Sequence, residues 1–314
     1  MAGFSVVSLM KEDASVISRF IRHYAALGAE RIFIYHDGPI DHLAAAGLVP
    51  GAPEMARVTL HACDADFWQD RIQRQPAHFE DRLRSAFRLG MEECESPWLF
   101  ICDADEFIIA RIPVQDALDR IPADLDSVLL APVEAVWGPG DDLAEPFGST
   151  WFRRMLPPGR KGDLTALRLH GPIGMVMRRG FCGHVQGKQF LRMGRDYDVV
   201  HQHWSTRDGK RISRFIAGVD PALGAALEMA HFDAIGLDRW TEKFRRRFSG
   251  GNVSVEMHWR RRWQMALIRR AVLTGGKWPR RLFARLYGLG PRQAAALEAK
   301  GLAFRMELFG KDAP

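Results

Sequence analysis

The residues with the clearest potential for chemistry are three carboxylates that follow a buried apolar run. Trp98–Cys102 leads directly into Asp103, Asp105 and Glu106. An apolar run of this length is typical of a strand buried on both faces, as in a parallel sheet. Carboxylates at the end of such a strand need a cationic partner, and carboxylate oxygens suit Mg²⁺ or Mn²⁺ shared with substrate phosphates. The stretch therefore predicts a metal–diphosphate site at a strand end.

The Asp-x-Asp pattern is weak by itself, because it occurs four times, at Asp64–Asp66, Asp103–Asp105, Asp124–Asp126 and Asp196–Asp198. The third fits a turn before a strand, and the fourth lies in a polar stretch. Only the second has apolar runs on both sides and a third acid. Spacing alone supports a metal site and a plain acidic turn equally.

The composition limits the class of protein. With 314 residues, 47% hydrophobic and 26% charged, the chain has the length and balance of a globular protein with a sizeable core. Met1–Leu9 lacks the charged region of a signal peptide, and no apolar stretch is long enough to span a bilayer. Four cysteines without a Cys-x-x-Cys pair argue against a zinc site or a disulfide framework. We therefore expect a cytoplasmic protein.

Strands and helices are predicted to alternate through the first hundred residues, which is typical of a parallel sheet wound with helices. Each predicted strand ends in polar residues, namely Lys11 and Glu12, Asp37, Asp64 and Asp66, and Asp103 to Glu106. Because ligands bind beyond the carboxyl ends of such strands, these side chains are expected to face one crevice. The chain has neither a GxGxxG after the first strand nor a GxxxxGK[ST], which disfavours a Rossmann dinucleotide domain and a P-loop NTPase.

An ordered set of segments resembles family-2-like glycosyltransferases of the GT-A fold. These are Met10–Asp13, the helix ending at Tyr24–Gly28, Arg31–Tyr35 with Asp37, the "DxDE" segment Trp98–Phe107, Gly187–Arg192, and His231-Phe232 followed by Trp240–Phe244. The match covers roughly residues 5 to 250 and is specific as a set. It implies transfer of a sugar from a nucleotide-diphosphate donor to an acceptor hydroxyl.

The resemblance also implies how the donor is held. Asp37 would bind the nucleobase, with Lys11 and Glu12 nearby. Gln75 and Arg82 lie where a donor-binding helix would precede the "DxDE" segment.

For the metal, the resemblance implies that Asp103 meets the donor ribose or the ion and that Asp105 binds the ion bridging the diphosphate. Glu106 would support both, and His231 would complete the shell around Mn²⁺ or Mg²⁺. A divalent ion would stabilise the charge that develops on the leaving diphosphate.

The general base is less clearly marked. Glu134–Asp142 combines a predicted strand end with a Gly/Pro-rich loop carrying Trp137, which suits either acceptor binding or a surface turn. Asp142 is our choice of base for an inverting reaction, with Glu134 as the alternative. His203, two residues from His201 and therefore on the same face of a strand, is a further candidate.

The C-terminal third is basic and aromatic. Pairs and triplets of arginine, such as Arg245–Arg247, alternate with tryptophan and phenylalanine at helical spacing, for example Trp259 and Trp263. We favour an aromatic seam packed on the catalytic domain with solvated arginines, the alternative being a surface for acidic glycan or the anionic inner face of a membrane. The net charge of +6 and pI of about 9.3 allow either. The QxxRW motif of processive synthases is absent.

These observations predict a GT-A-like α/β fold, a mostly parallel sheet flanked by helices, with antiparallel additions and a helical C-terminal region. Short strands are expected near Leu167, Met175, Phe190 and Val199. We expect a catalytic domain over residues 1–235 and a basic helical region over 236–314. The predicted function is metal-dependent glycosyl transfer in surface glycan synthesis, with a glycan or lipid-linked acceptor and no nucleic acid. The alternative is a non-catalytic nucleotide-sugar- or nucleic-acid-binding protein that uses the basic helices.

Overall fold

The computed structural model describes residues 2–49, 51–249 and 258–309. The chain divides into two compact units, each built from separate segments. Unit 1 comprises Met1–Ala131, Gln186–Met229 and Phe309–Pro314, and unit 2 comprises Pro132–Val185 and Ala230–Leu308. The predicted division into a catalytic domain over residues 1–235 and a basic helical region over 236–314 stays a prediction.

Strands and helices alternate in the first part of the chain, and helices dominate its last part. The strands are β1 (Phe4–Met10), β2 (Ile32–His36), β3 (Val58–Ala62), β4 (Trp98–Ile101), β5 (Glu106–Ala110), β6 (Ser127–Val136), β7 (Trp151–Arg154), β8 (Lys188–Arg192), β9 (Val199–His201), β10 (Trp204–Arg207), β11 (Lys210–Arg211), β12 (Arg214–Phe215), β13 (Leu227–His231) and β14 (Ala303–Arg305). The α-helices are α1 (Ala14–Ala26), α2 (Asp41–Ala45), α3 (Ala65–Ile72), α4 (Phe79–Glu93), α5 (Val114–Asp119), α6 (Arg160–His170), α7 (Ile216–Val219), α8 (Pro221–Ala226), α9 (Leu237–Ser249), α10 (Trp259–Thr274), α11 (Trp278–Tyr287) and α12 (Pro291–Glu298). Two 3₁₀ helices cover Pro53–Met55 and Gly171–Val176.

The sheet of unit 1 has its parallel strands together. β1 pairs in parallel with β2 and β4, and β2 pairs in parallel with β3. β8 runs antiparallel between β4 and β6, while β9, β10 and β11 form a small antiparallel sheet. Helices α1 and α4 pack against the parallel strands. The predicted α/β class, with a mostly parallel sheet, flanking helices and antiparallel additions, is confirmed.

Helix α1 illustrates why the local sequence folds as it does. The Asp13 carboxylate caps it by accepting from the backbone N–H of Ser15 (3.1 Å) and of Val16 (3.2 Å). Its apolar face, which includes Phe20, is buried at helical spacing. Gly28 ends it with φ of +86°, a left-handed conformation that glycine adopts without steric cost. The helix therefore delivers the chain directly to β2.

Unit 2 is built around the second half of β6. β7 pairs antiparallel with β6 and with β14, and helices α9 to α12 add the predicted helical C-terminal region. The strands expected near Leu167 and Met175 are wrong, since Leu167 lies in α6 and Met175 in a 3₁₀ helix. Gly162 and Ala166, four residues apart, bury one face of α6, which is a helical period.

The aromatic residues of the C-terminal helices form two sets. Trp240 and Phe283 are buried in the core of unit 2, as a packed seam requires. Trp259, Trp263 and Trp278 instead have exposed fractions of 48%, 63% and 53%. The expectation that the whole seam is packed is wrong for this second set. Among the described residues, no helix is both long and apolar enough to cross a membrane.

Candidate active site

The acidic turn predicted to carry the chemistry joins β4 to β5. Every residue of β4 is buried, and the strand lies between β1 and β8 in the sheet. The turn is closed from both ends, since the N–H of Asp103 donates to Glu106 Oε2 (2.8 Å) and the N–H of Glu106 donates to the Asp103 carbonyl (3.2 Å). Asp103 and Asp105 are partly exposed, whereas Glu106 is buried. The turn thus presents two aspartates at a strand end and keeps the glutamate inside.

A buried lysine pairs with two of the three carboxylates of this turn. The Lys188 ammonium lies 2.5 Å from Asp103 Oδ2, 3.1 Å from Glu106 Oε2 and 3.0 Å from Gln202 Oε1. These contacts use its three N–H donors. Burial alone would lower the pKa of Lys188, but Asp103 and Glu106 outweigh it and hold the pKa above its ordinary value. Lys188 is therefore a fixed positive charge behind the aspartates.

Sequence reasoning assigned no role to Lys188. The antiparallel pairing of β8 with β4 brings it to the turn, because Phe190 lies opposite Phe100. The sequence does contain a signal for this role, because Lys188 lies two residues before the apolar pair Phe190-Leu191. A lysine at the start of a buried strand needs a partner of opposite charge.

The predicted donor-binding residues of β1 and β2 lie at the same carboxyl edge. The N–H of Asp37 donates to the Met10 carbonyl (2.8 Å), which fixes Asp37 beside Lys11. Arg82, on α4, forms an ion pair with Asp37 in which Nε and Oδ1 are 3.0 Å apart. The Glu12 carbonyl lies 3.3 Å from His36 Nε2. The structure thus brings four of the predicted donor residues to the ends of two adjacent strands.

Gln75 differs from expectation. It lies in the loop between α3 and α4 and is exposed, so it does not sit on the helix that carries Arg82. The next two residues of that loop are tied to the helix, because Arg82 Nη1 donates to the Pro76 carbonyl (3.2 Å) and the Ala77 carbonyl (3.4 Å). A donor-binding role for Gln75 stays a prediction.

The order of strands in the sheet sets the distance between Asp37 and the Asp103–Asp105 turn. β2 and β4 flank β1, so Asp37 and Asp103 follow strands that are two positions apart. Neighbouring strands are about 4.8 Å apart, which separates these strand ends by roughly 10 Å. Side chains at the carboxyl ends of parallel strands, on either side of a central strand, form the usual ligand-binding position of open α/β sheets.

The aspartates of the turn suit a divalent ion by their chemistry. Mg²⁺ commonly takes one or two carboxylates and completes its shell with water and substrate phosphates. Asp103 and Asp105 supply such a pair on one partly exposed turn. Within the described residues, no group of three or more His, Cys, Asp or Glu side chains could hold a metal ion. A metal held by Asp103 and Asp105 would complete its shell with water or substrate oxygens.

The other three Asp-x-Asp segments have structural contacts. Asp64 is the N-cap of α3, accepting from the Phe67 N–H (2.9 Å). Asp126 is held by Arg195 (3.0 Å) and by Arg207. Asp198 Oδ2 accepts from the N–H of Gly209 (2.9 Å). These contacts favour the turn interpretation for these segments.

The two histidines of the β9–β10 region do not share a strand. His201 ends β9, Gln202 and His203 form the turn, and β10 begins at Trp204. The expectation that they lie on one face of a strand is therefore wrong. The Gly187 carbonyl lies 2.9 Å from His203 Nδ1, and the His203 N–H donates to His201 Nδ1 (3.3 Å). These contacts place His203 beside the residue that precedes Lys188.

Glu134, the alternative base, is fully buried in unit 2. Arg153 Nε donates to its Oε2 (2.8 Å), and the N–H groups of Cys182 (2.9 Å) and Gly183 (2.5 Å) donate to its Oε1. Both carboxylate oxygens thus accept hydrogen bonds within the core. Such contacts are those of a structural carboxylate, and they give no support to a role as general base.

The two aspartates of the Gly/Pro-rich loop after β6 differ in their contacts and exposure. Asp141 Oδ2 accepts from the N–H of Gly138 (2.8 Å) and of Thr150 (3.1 Å). Asp142 is exposed and accepts from the Ala144 N–H (3.0 Å). Trp137 is buried in the core, so its ring is not exposed to an acceptor. Asp142 keeps the access that a base needs.

His231 ends β13 and lies in unit 2. It is buried, and its ring stacks on that of His184 with centroids 6.4 Å apart. Burial alone would raise the pKa of Asp233, but Arg261, Lys243 and His231 outweigh it and hold the pKa below its ordinary value. His231 thus has a histidine and a carboxylate among its neighbours, and its role as a metal ligand stays a prediction.

Comparison with known proteins gives distant structural likenesses. No family model and no curated protein sequence matches the chain. The bifunctional glycosyltransferase WbbM, in its apo structure, is similar over 41% of this chain and 23% of its own, with 15% identity and a TM-score of 0.26. This chain therefore spans less than a quarter of WbbM.

Two further structures are similar over most of this chain. The mannosyltransferase PcManGT from Pyrobaculum calidifontis, in complex with GDP-Man and Mn²⁺, has 10% identity, coverage of 95% and 75% of the two chains, and a TM-score of 0.37. GalNAc-T7 with UDP, GalNAc and Mn²⁺ has 10% identity, coverage of 96% and 58%, and a TM-score of 0.37. At TM-scores this low, the likenesses decide neither family nor substrate.

Proposed function

We propose that the protein is a metal-dependent, family-2-like glycosyltransferase that moves a sugar from a nucleotide-diphosphate donor to an acceptor hydroxyl with inversion. The observation that supports this most strongly is the Asp103–Asp105 turn at the carboxyl end of β4, beside Lys11 and Asp37 at the ends of β1 and β2. Anionic and cationic side chains together suit a nucleotide whose diphosphate is bridged by a cation.

In this proposal, Asp103 and Asp105 hold Mn²⁺ or Mg²⁺. The ion supplies Lewis-acid stabilisation of the charge that develops on the diphosphate. Lys188 fixes Asp103 through Oδ2 and is a positioning residue, because it is buried and contacts the carboxylates from behind. Asp37, held by Arg82, binds the nucleobase.

The proposed base is Asp142, which takes the proton of the acceptor hydroxyl as its oxygen attacks the anomeric carbon and the bond to the diphosphate breaks. Its exposure supports this choice over the buried Glu134. A base must reach the hydroxyl directly, so access outweighs a favourable starting pKa. His203 is the third candidate.

A titration tests the site. The protein is titrated with UDP and with GDP in the presence and absence of Mn²⁺, and a panel of nucleotide sugars is screened for hydrolysis. Asp105→Ala should abolish metal-dependent nucleotide binding and turnover with unchanged circular dichroism. Asp66→Ala is the matched control, because it lies in an identical Cys-Asp-Ala-Asp tetrapeptide and is exposed.

Loss of binding in Asp66→Ala but not in Asp105→Ala would overturn the assignment. Metal-dependent nucleotide binding without turnover of any donor would favour the non-catalytic alternative. Tighter binding of a short nucleic acid than of any nucleotide would favour the nucleic-acid-binding alternative.

The proposed location is the inner face of a cytoplasmic membrane, bound peripherally. Trp259, Trp263 and Leu267 are spaced by four residues on one face of α10, and all three are exposed. Cation–π contacts place Arg260 5.1 Å from the Trp259 ring centroid and Arg281 5.9 Å from that of Trp278. Exposed tryptophans among arginines suit an anionic lipid surface.

Vesicle binding tests this location. Trp263→Ala should weaken co-sedimentation with vesicles containing anionic lipid, whereas Phe79→Ala, an aromatic residue of unit 1 with an exposed fraction of 46%, should not. Reversal of Arg245–Arg247 should have a smaller effect, because Glu242 pairs with Arg245 (2.8 Å) and Arg246 (3.6 Å). Equal binding of all variants would contradict membrane contact.

A further inference from the structure

A basic cavity lies within unit 2, at the start of α10. Its volume is about 210 Å³. The polar side chains that line it are Arg178, His184, His258, Arg260, Arg261 and Gln264. Among the described residues that line the cavity, none is acidic.

The charges around the cavity are not balanced locally. Arg260 is neutralised by Asp163, with two contacts of 2.8 and 2.7 Å. Arg261 instead donates to neutral acceptors, the Cys182 carbonyl (2.6 Å) and Gln264 Oε1. No carboxylate that lines the cavity balances the charge of Arg261, and an anion bound there would do so.

Neighbouring groups reinforce this excess of positive charge. Burial and the nearby Arg261 guanidinium both lower the pKa of Arg247, which means that the two cations are crowded. Asp233 is the carboxylate that interacts with Arg261, but it also interacts with Lys243 and accepts a hydrogen bond from Tyr287. One carboxylate is thus shared among several cations.

Gln264, one of the residues that line the cavity, carries a buried donor. The exposed fraction of Gln264 is 1%, and its Nε2 has no hydrogen-bond partner among the described residues. A buried amide group of this kind is normally paired, because leaving it unpaired destabilises the fold. The first turn of the 16-residue helix α10 also carries the positive end of the helix dipole. The Gln264 amide and the N–H groups of the first turn of α10 are both donors that an anion with several oxygens would satisfy.

We propose that this cavity binds a phosphate group. Arginine forks, imidazoles and an amide N–H match the several oxygens of a phosphate. The volume is below the range of typical ligand pockets and suits the phosphate end of a molecule better than a whole nucleotide sugar. On the proposed transferase function, which this step assumes, the phosphate belongs to the acceptor, as a sugar phosphate or as the head of a lipid-linked acceptor.

Calorimetric titration of the whole protein, without donor or metal, tests the site directly. Inorganic phosphate is the first probe. Arg261→Gln should weaken its binding at least about tenfold, the loss expected for a charged hydrogen bond. Arg269→Gln, an exposed arginine of the same helix that does not line the cavity, should bind as the parent does.

Arg178→Gln provides a second variant in case Arg261→Gln disturbs folding, since Arg178 is exposed and lines the cavity. It should also weaken phosphate binding. No measurable phosphate binding by the parent, or equal binding by Arg178→Gln and Arg269→Gln, would overturn the proposal.

Two further probes separate the sources of the phosphate. Tighter binding of a hexose 1-phosphate than of inorganic phosphate would indicate a soluble acceptor. Arg178-dependent binding to vesicles containing phosphatidic acid would indicate a lipid-borne phosphate. Asp105→Ala should retain phosphate binding, so failure of the proposed transfer reaction and failure of this site give different results.

Discussion

Replacement of Lys188 by methionine probes the contact that organises the acidic turn. The side chain of Lys188 has an exposed fraction of 0%, that of Glu106 3% and that of Asp103 36%. In Lys188→Met, Asp103 stays hydrated, but Glu106 keeps a buried charge without a cation. Removal of one partner from a buried ion pair costs about 3–5 kcal/mol. Because Glu106 retains the hydrogen bond from the Asp103 N–H, we expect the lower end, about 3 kcal/mol.

Urea denaturation followed by circular dichroism measures the change. With a slope of about 3 kcal/mol/M, a loss of about 3 kcal/mol lowers the urea midpoint by about 1 M. Lys210→Met is the matched control, because Lys210 lies on β11 and is exposed. Its midpoint should stay within about 0.2 M of the parent, as surface substitutions usually do.

The double variant Lys188→Met/Glu106→Gln separates electrostatics from packing. Removal of the buried charge should recover at least about 1 kcal/mol relative to Lys188→Met alone, because the two side chains are in contact. A midpoint of Lys188→Met equal to that of Lys210→Met would refute the buried ion pair. A double variant less stable than Lys188→Met would show that the loss comes from packing.

Three further results are expected. Asp142→Asn should lower the turnover number about 100-fold with unchanged donor affinity, as loss of a general base does, and near-normal turnover would move that role to His203. Glu134→Gln should lower the free energy of unfolding by about 3 kcal/mol through loss of its buried pair with Arg153, and parent-like stability in urea would contradict that. Burial lowers the pKa of His23 from 6.5 to about 4, so the unfolded chain binds the extra proton first as the pH falls. The free energy of unfolding should therefore drop by about 2 kcal/mol between pH 6.5 and 4.5 in the parent but not in His23→Gln. Urea midpoints at each pH measure this, and parallel profiles of the two proteins would refute the lowered pKa of His23.

The sequence by itself determined the features whose signals are local. The apolar run of β4, the caps Asp13 and Gly28 of α1, and the alternation of strands and helices each depend on residues a few positions apart. Because parallel strands end at one edge of a sheet, that alternation also predicted that Lys11 and Asp37 would meet. Backbone sterics and burial on a fixed period decide these features before distant parts of the chain come together.

Only the tertiary structure decided which charges are paired and which faces are covered. Lys188 reaches Asp103 across 85 positions of sequence, and Glu134 is enclosed by the N–H groups of Cys182 and Gly183, 48 and 49 positions away. The same helical spacing buries Trp240 and leaves Trp263 exposed. A sequence period states that a face is apolar but not what packs against it. Pairing and exposure depend on distances between residues remote along the chain, and the packing of strands and helices sets those distances.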